Sequence, residues 1–370
     1  MRVVRLLGAF FLILMISACQ VDLSGLTASR EEPTQEATAT ETIVPTLTPL
    51  PTRKPTATAL PSPTFIPSPP PVQGAVLSPT NIAAAYMESI KLSLIGSGFY
   101  WPGGSQLLIR GETGLLSIAL QPLSPGAMIK LENSGSVLDI SPDASHILTQ
   151  NGDGGVRIWN RLDGTSQSIN FGAAYLGGFS PDGKTILLGS TDHFKVTLFD
   201  TESLKQLAVL SGFETAAPAY VALPGPANLQ VVYFARGNAQ LQDVQSGKIE
   251  KSLDYPDGIF DLKFSPDGNW LLVTSRDLLQ AVSTHPAGET HAFDLTSLPE
   301  TPISAVFSPD GSMVAAGVGN SVGIWDTATW SQITRLPQQS GQVRLVGFSP
   351  DGKILVSQDD QNELAVWRLP

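Results

Sequence analysis

One short phrase recurs along this chain at a nearly fixed spacing, and no other feature constrains the fold as strongly. It is an apolar residue followed by Ser-Pro-Asp-Gly, and its full copies have their serines at Ser180, Ser265, Ser308 and Ser349. A near copy begins at Ser141 and carries Ala144 in place of the glycine. Successive serines lie 39, 85, 43 and 41 residues apart, and the spacing of 85 is about two periods. The chain is therefore built from a repeated unit of roughly 40–45 residues.

Two degenerate copies fill the gaps in this series. Residues 100–104 and 223–226 hold Pro and Gly at the expected places, and each stretch is followed by an apolar run with high β propensity. A repeat of this length made of four short strands is typical of a blade of a β-propeller. The sequence predicts an all-β protein, a seven-bladed β-propeller that spans residues 79–370.

The residues of the repeated turn have separate roles. Proline fixes φ near −65° at the first corner, and glycine adopts the positive φ that closes a tight hairpin. Ala144 breaks this pattern. Because an alanine in the left-handed region costs about 1–2 kcal/mol, we expect its hairpin to be the weakest of the five clear copies.

The third strand of several repeats ends in an aromatic residue followed by a polar one. The pairs are Trp159-Asn160, Phe199-Asp200, Trp325-Asp326 and Trp367-Arg368. On these pairs and on the period, residues from about 90 to 370 resemble the WD-repeat family. The Gly-His pair that usually opens such a repeat is absent, and no histidine precedes an inner strand. The resemblance therefore implies a divergent propeller with an incomplete His–Asp network, held mainly by aliphatic packing between blades.

The last repeat ends after its third strand, at Pro370. Since an open edge strand invites foreign pairing, we expect an N-terminal strand to complete this blade. Residues 90–94 are the predicted strand, which gives N-to-C closure of the ring. Residues 81–87 are predicted to form a short helix or lead-in beside it.

The N-terminus has the composition of a targeting segment. Arg2 and Arg5 precede an apolar run of eleven residues, 6–16, which is too short to span a bilayer and is typical of a secretory signal. Residues 16–19, Ile-Ser-Ala-Cys, resemble the lipobox of bacterial lipoproteins. The resemblance implies a signal peptide over residues 1–18 and lipid on Cys19, which would hold the exported protein at the bacterial cell membrane on the extracytoplasmic side. The alternative is an ordinary cleaved signal peptide and an incidental cysteine.

Residues 19–78 are predicted to be a disordered tether. This stretch is rich in Pro, Thr and Ser, with ten prolines between residues 45 and 71, and it has no apolar periodicity that could form a core. Proline-rich segments adopt extended polyproline-type conformations at about 3.1 Å per residue.

Charge and cysteine content exclude several functions. The formal net charge is −11 and no basic stripe occurs, which argues against nucleic acid and against direct docking on anionic lipid. Cys19 is the single cysteine, so the chain has neither an internal disulfide nor a thiolate metal cluster.

The sequence offers no convincing catalytic site, and we predict a protein that is not an enzyme and has no cofactor or metal. No Gly-x-Ser-x-Gly elbow occurs. Residues 151–155 lack the carboxylates of a calcium loop, the acidic residues 359–363 are expected at a solvated hairpin tip, and His285 and His291 lack a third zinc ligand nearby.

Two connecting segments concentrate aromatic residues and are the predicted binding loops. Their candidate residues for partner binding are Phe213, Glu214, Tyr220, Tyr255 and Phe260. Aromatic side chains on a rigid scaffold are common anchors of recognition, although these rings could instead pack onto neighbouring blades. We predict a monomeric, non-catalytic scaffold or sensor that recognises an envelope or extracellular protein. The alternative is an envelope carbohydrate-binding protein, or a hydrolase or lyase that acts at the central channel.

Overall fold

The structure is a computed structural model that describes residues 74–94, 96–103, 105–111, 114–130, 136–180, 182–190, 195–210, 220–222, 230–235, 238–243, 248–295 and 301–369. Cys19, Phe213 and Glu214 lie outside these ranges, as do the proposed signal peptide and most of the predicted tether. Within the described ranges, no helix is long and apolar enough to cross a bilayer.

The described residues form one 3₁₀ helix, Ile82–Ala84, and 28 strands. The first fourteen are β1 (Tyr86–Lys91), β2 (Phe99–Tyr100), β3 (Gln106–Arg110), β4 (Gly114–Leu120), β5 (Leu123–Lys130), β6 (Ser136–Ile140), β7 (His146–Gln150), β8 (Val156–Asn160), β9 (Ser166–Ile169), β10 (Ala174–Phe179), β11 (Thr185–Ser190), β12 (Lys195–Asp200), β13 (Gln206–Leu210) and β14 (Tyr220–Ala222). The others are β15 (Gln230–Ala235), β16 (Asn238–Asp243), β17 (Ile249–Asp254), β18 (Ile259–Phe264), β19 (Trp270–Ser275), β20 (Leu278–Ser283), β21 (Thr290–Ala292), β22 (Pro302–Phe307), β23 (Met313–Val318), β24 (Ser321–Asp326), β25 (Gln332–Arg335), β26 (Val343–Phe348), β27 (Ile354–Asp359) and β28 (Glu363–Arg368).

These strands pair into seven four-stranded antiparallel sheets. Sheets 1 to 6 are β2–β5, β6–β9, β10–β13, β14–β17, β18–β21 and β22–β25, and sheet 7 has the order β1-β28-β27-β26. We call β2, β6, β10, β14, β18, β22 and β26 the first strands of sheets 1 to 7. Each first strand contacts the first strand of the next sheet, and Gly347 of β26 lies against Phe99 of β2. The first strands therefore surround the centre of a closed ring, and the fold is an all-β propeller.

Sheet 7 joins the two ends of the described chain. β1 pairs antiparallel with β28, from Tyr86 opposite Arg368 to Lys91 opposite Glu363. Closure by an N-terminal strand was expected, but the strand is 86–91 rather than 90–94. The helix is also shorter than the expected 81–87, because Ala85 already has an extended conformation with ψ of 135°. The strand therefore begins earlier than the apolar run at 90–94 suggested.

Each Ser-Pro-Asp-Gly turn is held by the same set of side-chain hydrogen bonds. In all five copies the serine hydroxyl donates to the aspartate at 2.5–2.7 Å and accepts the backbone N–H five residues later at 2.8–2.9 Å. The aspartate carboxylate also accepts a backbone N–H, from the residue four positions after the serine. The glycine has φ between +68° and +73°, and Ala144 takes the equivalent conformation at +55°. The turns therefore satisfy their own polar groups while the serines stay buried.

These turns all follow a first strand, so they lie on one face of the ring, here called the turn face. The segments that join one sheet to the next lie at the other end of the first strands, on the connection face. The described chain enters on the turn face, where the Leu77 N–H donates to the Gly352 carbonyl at 2.9 Å. Leu77 is buried against Met313 and Trp367, so packing begins inside the segment 19–78 that was expected to be a tether.

The core consists of aliphatic layers between neighbouring sheets. Trp325 and Trp367, from the pairs that resemble the WD repeat, are fully buried within these layers. Predominantly aliphatic packing between blades was expected from the missing histidines, and the clusters have this composition.

Candidate functional site

Several first strands carry one extra residue near the connection face. The register shifts at Tyr175 in β10, Phe260 in β18 and Arg344 in β26, each five residues before a turn serine. β22 has a similar irregularity between Pro302 and Ala305. A β-bulge redirects a side chain and often lies next to a functional site.

These positions, here called the rim, surround the centre of the ring on its connection face. Phe260 is 48% exposed, although Ile259 and Leu262 beside it are buried. Arg344 is exposed as well and lies 3.6 Å from the Asp360 carboxylate. The rim therefore presents an aromatic ring and a cation on a repeated backbone, which suits recognition more than packing.

A tight turn precedes β18, the strand that carries Phe260. Residues 255–258 form a turn in which the Gly258 N–H donates to the Tyr255 carbonyl at 2.8 Å, and Gly258 has φ of +88°. A cleft of about 380 Å³ lies beside this turn, lined by polar groups that include Asp254, Asp257 and Arg276. Its volume falls in the range of small ligand pockets.

Tyr255 was predicted to be a partner-binding residue, with packing onto neighbouring blades as the alternative, and its ring lies between two blades. The side chain is only 7% exposed and packs with Leu241, Leu262 and Val282 between sheets 4 and 5. Its hydroxyl donates to Gln280 at 3.2 Å, and burial raises the pKa of Tyr255 to about 12. The ring therefore fills space between sheets 4 and 5.

The other predicted binding loop remains a prediction. Phe213 and Glu214 lie outside the described residues. Tyr220 begins β14, where its backbone pairs with Phe234, and its side chain is not described.

A polar network joins the first strands of sheets 1, 2 and 3. The Tyr100 hydroxyl donates to Asp139 at 2.5 Å, the Phe179 N–H donates to the same carboxylate at 2.9 Å, and the Arg110 guanidinium lies 3.6 Å away. Burial, reinforced by the charge of Asp139, raises the pKa of Tyr100 well above its usual value. Protein groups therefore occupy both oxygens of this carboxylate.

Asp261 on β18 is the second carboxylate near the centre. Burial raises its pKa, although Lys263 at 3.3 Å and the N–H groups of Leu262 and Ala305 act in the opposite direction. Like Asp139, it forms contacts to protein groups that link neighbouring sheets.

The acidic loop 359–363 differs from its expected form. Asp359 is fully buried and not solvated. Its oxygens accept from the hydroxyl of Ser340 and from the N–H groups of Gly341, Gln361 and Glu363, at 2.6–2.9 Å. Four donors saturate this carboxylate, so we infer that its role is to hold the loop together.

Candidate metal ligands are not assembled in the described part of the chain, where no three His, Cys, Asp or Glu residues form a suitable group. His291 lies 3.4 Å from Glu289 and stacks on Trp330 at 4.6 Å between ring centres. Sequence reasoning did not single out Trp330, Tyr175 or Arg344. The last two share a fixed offset from the turn serine, and that offset was the available signal.

Comparison with known proteins agrees with this architecture. Residues 247–278 and 294–326 match the family model described as WD domain, G-beta repeat. The first match covers β17 to β19 and so runs from the outer strand of sheet 4 into sheet 5, whereas the second covers β22 to β24 of sheet 6 and the residues before them. The chain contains WD40 repeats within a β-propeller.

Parts of the chain also resemble eukaryotic WD proteins. WD repeat-containing protein SL1-17 of Schistosoma mansoni is 30% identical over 34% of this chain and 42% of that protein. The U5 small nuclear ribonucleoprotein 40 kDa protein of Pongo abelii is 32% identical over 22% of each chain. Autophagy-related protein 16 of Arabidopsis thaliana is 25% identical over 35% of this chain and 27% of that protein. The chain thus spans less than half the length of these relatives.

Proposed function

We propose that this chain is a lipid-anchored protein of the bacterial cell envelope that displays a WD-repeat propeller for recognition of another protein. In this proposal residues 1–18 are a signal peptide, Cys19 carries lipid, and the Pro-rich segment spaces a monomeric, non-catalytic propeller from the membrane on the extracytoplasmic side. The anchor is supported by the resemblance of residues 16–19 to a lipobox. The recognition role is supported by the WD40 repeats.

The observation that carries the recognition role is the exposure of Phe260. A large, exposed aromatic side chain lies at a bulge on a first strand, and a buried tyrosine and a tight turn precede that strand. Rigid aromatic anchors dominate the energetics of many protein interfaces, and Arg is enriched beside them. Phe260 and Arg344 on the rim fit this pattern.

The rim is separate from the described start of the chain. Leu77 packs on the turn face, and the rim lies at the opposite end of the first strands.

The recognition role is tested by capture from envelope extract with the full chain. We expect Phe260→Ala to reduce capture of a specific protein by about tenfold or more, because truncating a central anchor costs about 2 kcal/mol. Leu162→Ala is the matched control, since Leu162 is 66% exposed and lies on the turn face. Equal capture by both variants, or loss with Leu162→Ala alone, contradicts the role of the rim. Enrichment of glycan without protein would favour the carbohydrate-binding alternative.

The anchor is tested separately. Cys19→Ala should leave the precursor unprocessed or release the protein from the membrane fraction, as judged by fractionation and mass spectrometry of the N-terminus. Unchanged processing and unchanged membrane attachment would contradict lipidation of Cys19.

A further inference from the structure

A second concave region lies on the turn face, between sheets 5 and 6. Its volume is about 570 Å³, which is within the range of pockets that bind small organic ligands. Its walls combine two tryptophans, two prolines and two carboxylates, here called the tryptophan slot: Pro266, Asp267, Trp270, Pro309, Asp310 and Trp330. The slot lies at the opposite end of the first strands from the rim, so the proposed recognition role does not use it.

Two tryptophan rings form the aromatic wall of the slot. The rings of Trp270 and Trp330 meet edge to face at 4.9 Å between ring centres, and both side chains remain partly exposed. His291 stacks on Trp330 at 4.6 Å, and Phe293 meets Trp330 edge to face at 5.7 Å. These ring contacts restrain the orientation of Trp330, so the slot presents a π surface that is already in place.

Two carboxylates make the slot negative. Partial burial works to raise the pKa values of Asp267 and Asp310, but hydrogen bonds from the turn serines and backbone N–H groups outweigh it, so both pKa values lie below their usual range. Both groups are therefore ionised at neutral pH. Neither forms an ion pair with a described residue, and no residue that lines the slot is basic.

Hydrogen bonds hold the acidic and aromatic parts of sheet 6 together. The Thr327 hydroxyl donates to the Gly311 carbonyl at 2.7 Å, and the Thr327 N–H donates to the Ser312 carbonyl at 3.0 Å. These bonds join the turn that carries Asp310 to the turn that carries Trp330. The slot is therefore a formed site in the free protein, as small-ligand sites usually are.

The repeated fold does not account for the two tryptophans. The place of Trp270, five residues after the turn serine, is taken in the other four clear copies by His146, Thr185, Met313 and Ile354. The place of Trp330 is taken by Gly164 in sheet 2 and by Leu204 in sheet 3. Since the turns form without either tryptophan, the pair is a local departure from the repeat. Such departures are expected at functional sites.

We propose that the tryptophan slot binds an organic cation of the alkylated ammonium class. A methylated ammonium group has no strong hydrogen-bond donor, and it is attracted instead to the faces of aromatic rings, most strongly to tryptophan. Asp267 and Asp310 supply the opposite charge beside that aromatic wall. A metal ion such as Ca²⁺ fits less well, because it takes about six to eight oxygen ligands and has no use for the rings.

Choline and its neutral carbon isostere, 3,3-dimethylbutan-1-ol, test the proposal on the full chain. NMR of the indole N–H groups is the readout, because the chain has six tryptophans and two of them line the slot. We expect choline to shift the signals of Trp270 and Trp330 with a millimolar dissociation constant. The isostere should bind about fivefold more weakly, since it has the same shape without the charge.

Two variants each remove one part of the site. Trp330→Leu copies Leu204 of sheet 3 and removes an aromatic wall, so it should weaken choline binding about fivefold. Asp310→Asn keeps an acceptor for the turn serine but removes the charge, and it should weaken binding about threefold at low salt and reduce its salt dependence. Asp351→Asn is the matched control, because Asp351 makes the same hydrogen bonds in the turn of sheet 7 and does not line the slot.

Saturable binding that prefers choline and weakens in both slot variants but not in Asp351→Asn supports the proposal. Equal affinity for choline and the isostere overturns it, because the slot would then be a general apolar pocket. Equal weakening in Asp351→Asn also overturns it, since net charge and not the slot would be responsible. Absence of saturation with both choline and benzyltrimethylammonium has the same meaning. If Trp330→Leu lowers the melting temperature, Asp310→Asn and its control decide.

Discussion

At the scale of single residues, two tryptophans at equivalent positions of their sheets differ in how their indole N–H groups are satisfied. Trp159 donates to the Thr149 hydroxyl at 2.9 Å. Trp325 is fully buried, and its indole N–H has no acceptor among the described residues. The strand registers show why: the position of Thr149 in sheet 2 is taken by Ala316 in sheet 6. An unsatisfied buried donor costs about 1–3 kcal/mol.

This difference predicts opposite effects of two substitutions. Ala316→Ser should raise the free energy of unfolding by about 1 kcal/mol, because it places a hydroxyl where Trp325 needs an acceptor. Thr149→Val should lower it by about 1 kcal/mol, because it removes the hydrogen bond of the partly buried Trp159 N–H at nearly constant volume. Denaturant titration measures both. A destabilised Ala316→Ser would mean that the site has no room for the oxygen.

At the scale of the element, the turn after each first strand explains why Ser-Pro-Asp-Gly persists. Proline and glycine could be interpreted from sequence because each fixes a backbone angle. The serine could not, because its value lies in two simultaneous hydrogen bonds, to residues two and five positions further along the chain. The hairpin at Ala144 is expected to be less stable than the others because this alanine has a φ of +55°.

Turn strain can be isolated at Gly311, where an added Cβ would meet nothing within 4 Å and φ is +72°. Gly311→Ala should therefore lower the free energy of unfolding by about 1–2 kcal/mol through backbone conformation alone. The reverse change, Ala144→Gly, relieves strain but removes a fully buried methyl group worth about 0.8 kcal/mol, so its net effect should be small. Chemical denaturation of both variants tests this. Equal losses in the two variants would contradict the role of φ.

The same turns predict acid sensitivity. Burial opposes ionisation of Asp143, Asp267 and Asp310, yet hydrogen bonds from serines and backbone N–H groups lower all three pKa values in the folded state. A lowered folded pKa contributes stability above the unfolded value of about 3.9, and this stability is lost as pH falls through the folded pKa. The melting temperature should be steady from pH 5 to 7 and drop below pH 4. Changing the three aspartates to Asn should flatten that drop, and an unchanged slope would place the sensitivity elsewhere.

At the scale of the whole molecule, sequence predicted what repeats and failed where residues depart from the repeat. The period predicted the turns and the strand succession, and the open edge of the last repeat predicted a closing N-terminal strand, placed at 90–94 where the structure has 86–91. The candidate site was harder to predict: Phe260 and Tyr255 were both candidate binding residues, yet Phe260 is exposed and Tyr255 is buried between sheets 4 and 5, a difference that no local sequence pattern records. Arg344 was missed because a bulge, not its neighbours in sequence, turns it outward.

Closure of the ring depends on Arg368, whose guanidinium is buried between sheets 7 and 1. It donates to the Tyr86 hydroxyl at 2.9 Å, to the Leu120 carbonyl at 3.0 Å, and to Glu88. The three acceptors lie on β1 and β4, so one side chain ties the last strand to the first described strand and to the neighbouring sheet.

Arg368→Met should lower the free energy of unfolding by about 2–3 kcal/mol, because it preserves volume but leaves several partly buried acceptors without a donor. The loss should be accompanied by faster amide hydrogen exchange in β1 and β28, since these two strands form the closure. Arg344→Met is the matched control: that guanidinium is exposed and lies 3.6 Å from Asp360, and an exposed ion pair contributes about 0–1 kcal/mol. Equal destabilisation by the two variants, or exchange that rises evenly over all sheets, would mean that the ring is held by packing between sheets and that the arginine clasp adds little.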